Sequence, residues 1–148
     1  MISAAIEQPA RTNMQQLEIS RIKVERSEDL VLARGCVRDA AIEMGFSHID
    51  QVRMVTAASE LTRNILRYAE AGVVEISRIK INGRRGLRVK FEDRGQGIAD
   101  IELAMTDGYS TGRSLGKGLP GARRLVDDFE IESEVGRGTT VTITKWLS

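Results

Sequence analysis

The sequence predicts an α+β fold in which helices cover one face of a mostly antiparallel sheet. Two neighbouring stretches repeat apolar residues at helical spacing, other stretches alternate at period two, and their order is β-α-α-β-β-loop-α-β-β. The chain has 148 residues, which suits one compact domain.

Each element follows from its residues. Met1 to Gln16 shows no clear period and contains Pro9, so residues 1–16 are expected to be a flexible tail and 17–148 the folded domain. Leu17 and Ile19 alternate, then slip to Ile22 and Val24, as in a first strand. Ser27 followed by Glu28 and Asp29 marks a helix start, and Leu30, Ala33, Val37, Ala40 and Met44 recur until Gly45 stops the helix. Ser47 to Asp50 fits a capping box opening a longer helix, with the apolar stripe Ile49, Val52, Val55, Ala58, Leu61, Ile65 and Tyr68. Val73 to Ile81 is strand-like, Asn82-Gly83 is a strong turn, and Leu87, Val89 and Phe91 alternate with charged residues. Ile98 to Met105 has the make-up of a short helix, and the glycine-rich run from Asp107 to Gly118 that of a mobile loop. Leu119 to Asp128 reads as a helix with Pro120 in its first turn. Phe129, Ile131 and Val135 then alternate with glutamates, and the Gly136-Arg137-Gly138 turn leads into a last strand ending at Trp146.

Composition excludes several functions. Lys plus Arg total 22 and Asp plus Glu 21, so the basic excess expected of a nucleic-acid binder is missing. One cysteine, Cys36, makes no intramolecular disulfide and no Cys-rich zinc site, and one histidine, His48, is too few for most histidine metal centres. No apolar run has membrane-spanning length, and the first residues lack a signal peptide's pattern. The expectation is a soluble cytoplasmic protein.

Four constellations carry chemistry. Glu60 and Asn64, four apart, share one helix face; the amide oxygen suits a hard cation and the carboxylate can accept a proton. A solvated polar face would look the same in isolation. Asp93-Arg94-Gly95-Gln96-Gly97-Ile98 ends a strand: the carboxylate can accept from an exocyclic amine, the glycines admit a flat ring and Ile98 can pack on it, although a plain turn has the same residues. Gly116-Lys117-Gly118-Leu119-Pro120-Gly121 precedes a helix and suits phosphate binding by backbone N–H groups and the helix dipole. Its G-x-G-x-x-G spacing also matches the dinucleotide fingerprint, but no buried strand lies immediately upstream, and Gly118 after Lys117 rules out a Walker A loop. Gly136-Arg137-Gly138-Thr139 is a tight turn opening the last strand. Arg113 and Lys117 are placed to meet terminal phosphates, or to be ordinary surface charge.

In this order and spacing the four boxes resemble the GHKL ATPase and kinase superfamily, over roughly Leu17 to Leu147. The stretches Ala58 to Ile65, Asp107 to Thr111, Gly118 to Gly121 and Lys145 to Leu147 look most like its anti-sigma-factor serine/threonine kinases, and among these the stressosome switch kinases. The resemblance implies a two-layer α/β sandwich of the GHKL (Bergerat) type, binding ATP and Mg2+. It makes Asn64 the Mg ligand and Glu60 the general base. Asp93 would recognise the adenine amine with Thr139 in support, Gly95, Gly97 and Ile98 would border the base, and Gly116, Gly118 and Leu119 would follow the phosphates. It also implies a STAS-domain substrate phosphorylated on Ser or Thr, and a later switch to activating a PP2C-type phosphatase. Ser114 and Lys117 depart from the family's smaller residues in the glycine loop. A non-catalytic module that sequesters a sigma factor or phosphatase is the competing reading. A sensor histidine kinase would need an upstream phosphoacceptor helix, and a gyrase-like ATPase a following transducer domain; neither is expected.

Overall fold

The computed structural model describes residues 14–106 and 118–148. Residues 107–117 of the expected mobile loop, with Arg113, Gly116 and Lys117, lie outside the described residues, as does most of the expected tail; the loop's last residue, Gly118, begins a helix.

The chain runs β1 (Met14–Val24), α1 (Ser27–Met44), α2 (His48–Tyr68), β2 (Gly72–Ile81), β3 (Arg84–Asp93), a four-residue α3 (Ile101–Ala104), α4 (Gly118–Leu125), β4 (Asp128–Glu134) and β5 (Gly138–Trp146). The strands form one sheet in the order β1-β2-β3-β5-β4, and each of its four ladders is antiparallel. Val74 sits opposite Phe91 and Phe91 opposite Val141, while Ile76 faces Val89 and Val89 faces Ile143. These apolar rows form the floor of the core. Ala33, Val37, Ala41 and Met44 of α1 pack onto it, together with Met54, Ala58, Leu61 and Ile65 of α2. Both layers of the expected sandwich are present.

Local chemistry explains the boundaries. The Asp29 carboxylate accepts from the backbone N–H of Glu25 (2.8 Å) and of Arg26 (3.0 Å), so α1 is held at its start by Asp29 while Ser27 makes no cap bond. Those two bonds, from Glu25 and then Arg26, hold the Asp29 carboxyl below its ordinary value of 3.8. A carboxylate lowered on folding adds stability above its unfolded value and loses it as pH falls through the folded one. Asp29→Asn should therefore destabilise the protein near neutral pH, with the gap to wild type closing as pH falls below 3.8. Denaturant melts across that range measure it. At α2, Ser47 Oγ accepts from Asp50 N at 3.2 Å, but the Asp50 carboxylate turns to Arg53 and Lys145 instead of completing the capping box.

Three expectations need correction. β1 begins at Met14, not Leu17, and its irregularity lies between Gln16 and Glu18. Ile19 and Ile22 differ in face, not register, because Ile19 pairs with Ser77 and Ile22 with Val74 on an uninterrupted ladder. The stripe on α2 is buried only in its middle: Ile49, Val52 and Tyr68 are exposed, since the sheet is reached by the central turns alone. Val135 is likewise exposed, lying beyond β4 in the turn.

The opposite sheet face has a small apolar cover of its own. Ile79, Gly86 and Trp146 stand side by side across three strands. The Trp146 ring lies over Gly86, where an added Cβ would come within 2.7 Å of it, and Ile79 beside them is fully buried. Arg84 stacks on the ring at 4.7 Å and Asp128 accepts from the indole N–H at 2.7 Å. The Lys145-Trp146-Leu147 stretch thus has a packing role.

Candidate functional site

Between α2, the β3 end and the start of α4 lies a cavity of about 410 Å³. That lies within the roughly 300–1,000 Å³ range of small-molecule sites. Its walls come from separate parts of the chain: Asn64 from α2, Asp93 with Gly95, Gly97 and Ile98 from the β3 end, Leu119 from α4 and Thr139 from β5. Leu61, Ile65, Phe91, Leu103 and Val141 supply the apolar lining. Leu61 and Ile65 fall within the family-like stretch Ala58 to Ile65, whereas Leu103 and Val141 were marked by no motif.

The polar end of the cavity is built around Asp93. Its Oδ1 accepts from Gly95 N at 2.8 Å and from Thr139 N at 3.3 Å. Oδ2 has no hydrogen-bond partner among the described residues. The first bond closes the chain into a tight loop just after β3, and the second joins that loop to β5, where Thr139 sits opposite Asp93. The loop then turns through Gly97 at φ +80°, with the Glu134 carbonyl oxygen where a Cβ would stand. Gly97→Ala therefore meets both a left-handed backbone and backbone overlap. It should cost at least about 1–3 kcal/mol in a denaturant melt and should weaken any ligand that fills the cavity.

At the other end stands Asn64, whose amide makes no hydrogen bond among the described residues. Gly118, buried at the start of α4, lies directly against it: an added Cβ would come within 2.9 Å of Asn64 Nδ2. An unpartnered amide beside a helix N-terminus can offer its oxygen to a cation while the helix amides receive an anion.

Glu60 lies one turn before Asn64 on α2, outside the lining of the cavity. Its carboxylate accepts from Arg63 at 2.9 Å, and both side chains are partly exposed. A pair this wet is worth at most about 1 kcal/mol, so it opens readily. Arg63 was not singled out from the sequence.

Ser133 was also missed. Its Oγ meets Ile98 N at 2.7 Å, Gly138 O at 3.1 Å and Thr139 Oγ1 at 2.7 Å. The available signal was a serine in the inward register of β4, where Phe129 and Ile131 precede it.

Cys36 and His48 lie on α1 and at the start of α2, away from the cavity lining. Burial, and then the Asp39 charge, push the Cys36 thiol up, which disfavours a reactive thiolate. Among the described residues no group of three or more His, Cys, Asp or Glu side chains is placed to hold a metal. No helix among them is long and apolar enough to cross a membrane.

The chain is similar in sequence and in fold to known proteins. Residues 49–148 match the family model described as histidine kinase-, DNA gyrase B-, and HSP90-like ATPase. The serine/threonine-protein kinase RsbT of Bacillus subtilis is 44% identical over 128 residues, covering 86% of this chain and 96% of that one. The anti-sigma F factor of Thermoanaerobacter sp. is 29% identical over 141 residues, covering 92% and 95%. Among solved structures, the RsbU and RsbW domains of a Mycobacterium tuberculosis protein match with a TM-score of 0.62 and 22% identity. That match covers 89% of this chain but only 34% of the other, and bears on the fold alone.

Proposed function

The chain belongs to the family of histidine kinase-, DNA gyrase B-, and HSP90-like ATPases, in the branch of the kinase RsbT and the anti-sigma F factors, and from that premise we propose that it is an ATP-dependent serine/threonine protein kinase. The observation that carries the reading is the convergence of Asn64, Asp93, Gly97, Leu119 and Thr139 on one cavity. In this reading the adenine lies between the loop glycines and Ile98, its amine on Asp93. The phosphates follow Leu119 and Gly118 toward the α4 N-terminus, with Arg113, Gly116 and Lys117 as further contacts. Bound Mg2+ would be held by the Asn64 amide oxygen and the nucleotide's phosphates, and would neutralise charge on the phosphates.

The chain's own residues do the rest. The cavity fixes the nucleotide, Asn64 fixes the end at which the phosphates lie, and Glu60 accepts the proton of an incoming hydroxyl. Arg63 releases Glu60 when that hydroxyl arrives, at small cost because the pair is solvated. Positioning and charge neutralisation supply most of the acceleration, as in phosphoryl transfer generally. The substrate is a STAS-domain protein in a partner-switching pathway of the stressosome type, in the cytoplasm, and a PP2C-type phosphatase is the later partner.

The anti-sigma F factor relatives support a second reading, in which a nucleotide-held module sequesters its partner without modifying it. Incubation with γ-labelled ATP and a STAS-domain protein separates the two. Label on serine or threonine of the partner is the expected result; a tight complex without label favours the module.

A further inference from the structure

We propose that Ser133, which does not line the cavity, sets the cavity's preference for an amino over an oxo group on the base by fixing the direction of the Thr139 hydroxyl. The inference rests on the nucleotide reading and assigns a specificity determinant within that site.

The argument is one of proton accounting. A serine hydroxyl has one proton and two lone pairs. Ile98 N–H can only donate, so one Ser133 lone pair receives it at 2.7 Å. The Gly138 carbonyl can only accept, so the Ser133 proton goes there at 3.1 Å. One lone pair remains for the 2.7 Å contact with Thr139, in which either hydroxyl could donate; the donation is assigned to Thr139 because that arrangement makes all three Ser133 contacts hydrogen bonds. With its proton directed at Ser133, Thr139 Oγ1 has lone pairs and no proton left for a ligand. Thr139 lines the cavity beside Asp93, whose Oδ2 has no hydrogen-bond partner among the described residues.

The two side chains at this end therefore offer acceptors and no donor. An exocyclic amine has the two N–H groups that fit them. A 6-oxo group would meet lone pairs from both. A site built to receive a donor rejects a ligand lacking it, because its own buried groups are left unpaired. Ser133 is thus a positioning residue acting through Thr139.

The test is calorimetric binding of ATP and of inosine triphosphate, which differ in the 6-amino against the 6-oxo group. The ratio of the two Kd values is measured for wild type, Ser133→Ala, Ser133→Thr and Thr139→Val. In Ser133→Ala the Thr139 hydroxyl is free to turn and donate, so the preference for ATP should fall roughly three- to tenfold, one net hydrogen bond. Ser133→Thr, which keeps the hydroxyl, should hold the wild-type ratio, and Thr139→Val should lose preference even if Ser133→Ala does not fold. A merely structural role would weaken both nucleotides equally. An unchanged ratio in Ser133→Ala or in Thr139→Val overturns the proposal, as does a Ser133→Thr ratio no better than that of alanine. Binding of neither nucleotide by wild type removes the ATP reading itself, and the proposal with it.

Discussion

Glu60→Gln should leave nucleotide binding intact and lower phosphoryl transfer by about 10²–10⁴-fold, the usual loss on removing a general base. The separation of the two effects follows from where Glu60 stands. It lies one turn before Asn64 but outside the cavity lining, so the nucleotide gains nothing from it. Glutamine keeps the shape and can still accept from Arg63, which limits structural damage. Single-turnover transfer to a STAS-domain protein measures the rate, and calorimetry measures the binding. Transfer at the wild-type rate would remove Glu60 from the base role, and lost binding would place it in the cavity instead.

Asp93→Asn should act in the opposite way, weakening nucleotide binding by roughly 10- to 100-fold. The carboxylate holds Gly95 N and Thr139 N with one oxygen, and the other, without a partner among the described residues, is the one the proposed adenine contact uses. An amide in its place supplies only one acceptor. If its oxygen keeps the two backbone N–H groups, an NH₂ faces the amine, donor against donor. If it turns, the loop and β5 lose their bond. The first arrangement costs one charge-assisted contact and the second costs two. Transfer measured at saturating ATP should recover most of the wild-type rate, because the base and the partner hydroxyl are untouched. Unchanged ATP affinity in Asp93→Asn contradicts the assignment.

Much of this was legible in the chain. Period and turn chemistry placed both long helices, the Asn82-Gly83 hairpin and the last strands, since each is decided by residues close in sequence. The boxes at Asn64, Asp93, Gly97, Leu119 and Thr139 meet as their order implied. The misses share a cause. Ile49, Val52 and Tyr68 are apolar at the right spacing, yet whether the sheet reaches them is a tertiary matter. The β1 start was hidden by the irregularity between Gln16 and Glu18. Ser133 and Arg63 find their partners only in the fold: one needs β4 beside β5 and the loop after β3, the other needs the rotamer that brings it to Glu60. Ser133 and Trp146 show the limit in opposite directions. A serine without a motif bonds to Thr139 in the cavity wall, whereas a tryptophan in a family-like stretch serves packing on the far face.

The most direct measurement is a crystal structure of the protein soaked with Mg2+ and a non-hydrolysable ATP analogue. The expected density has the adenine amine on Asp93 Oδ2 and the cation on the Asn64 amide oxygen, joined by one nucleotide through the same cavity. Nucleotide bound elsewhere, with Asn64 and Asp93 both untouched, would contradict it.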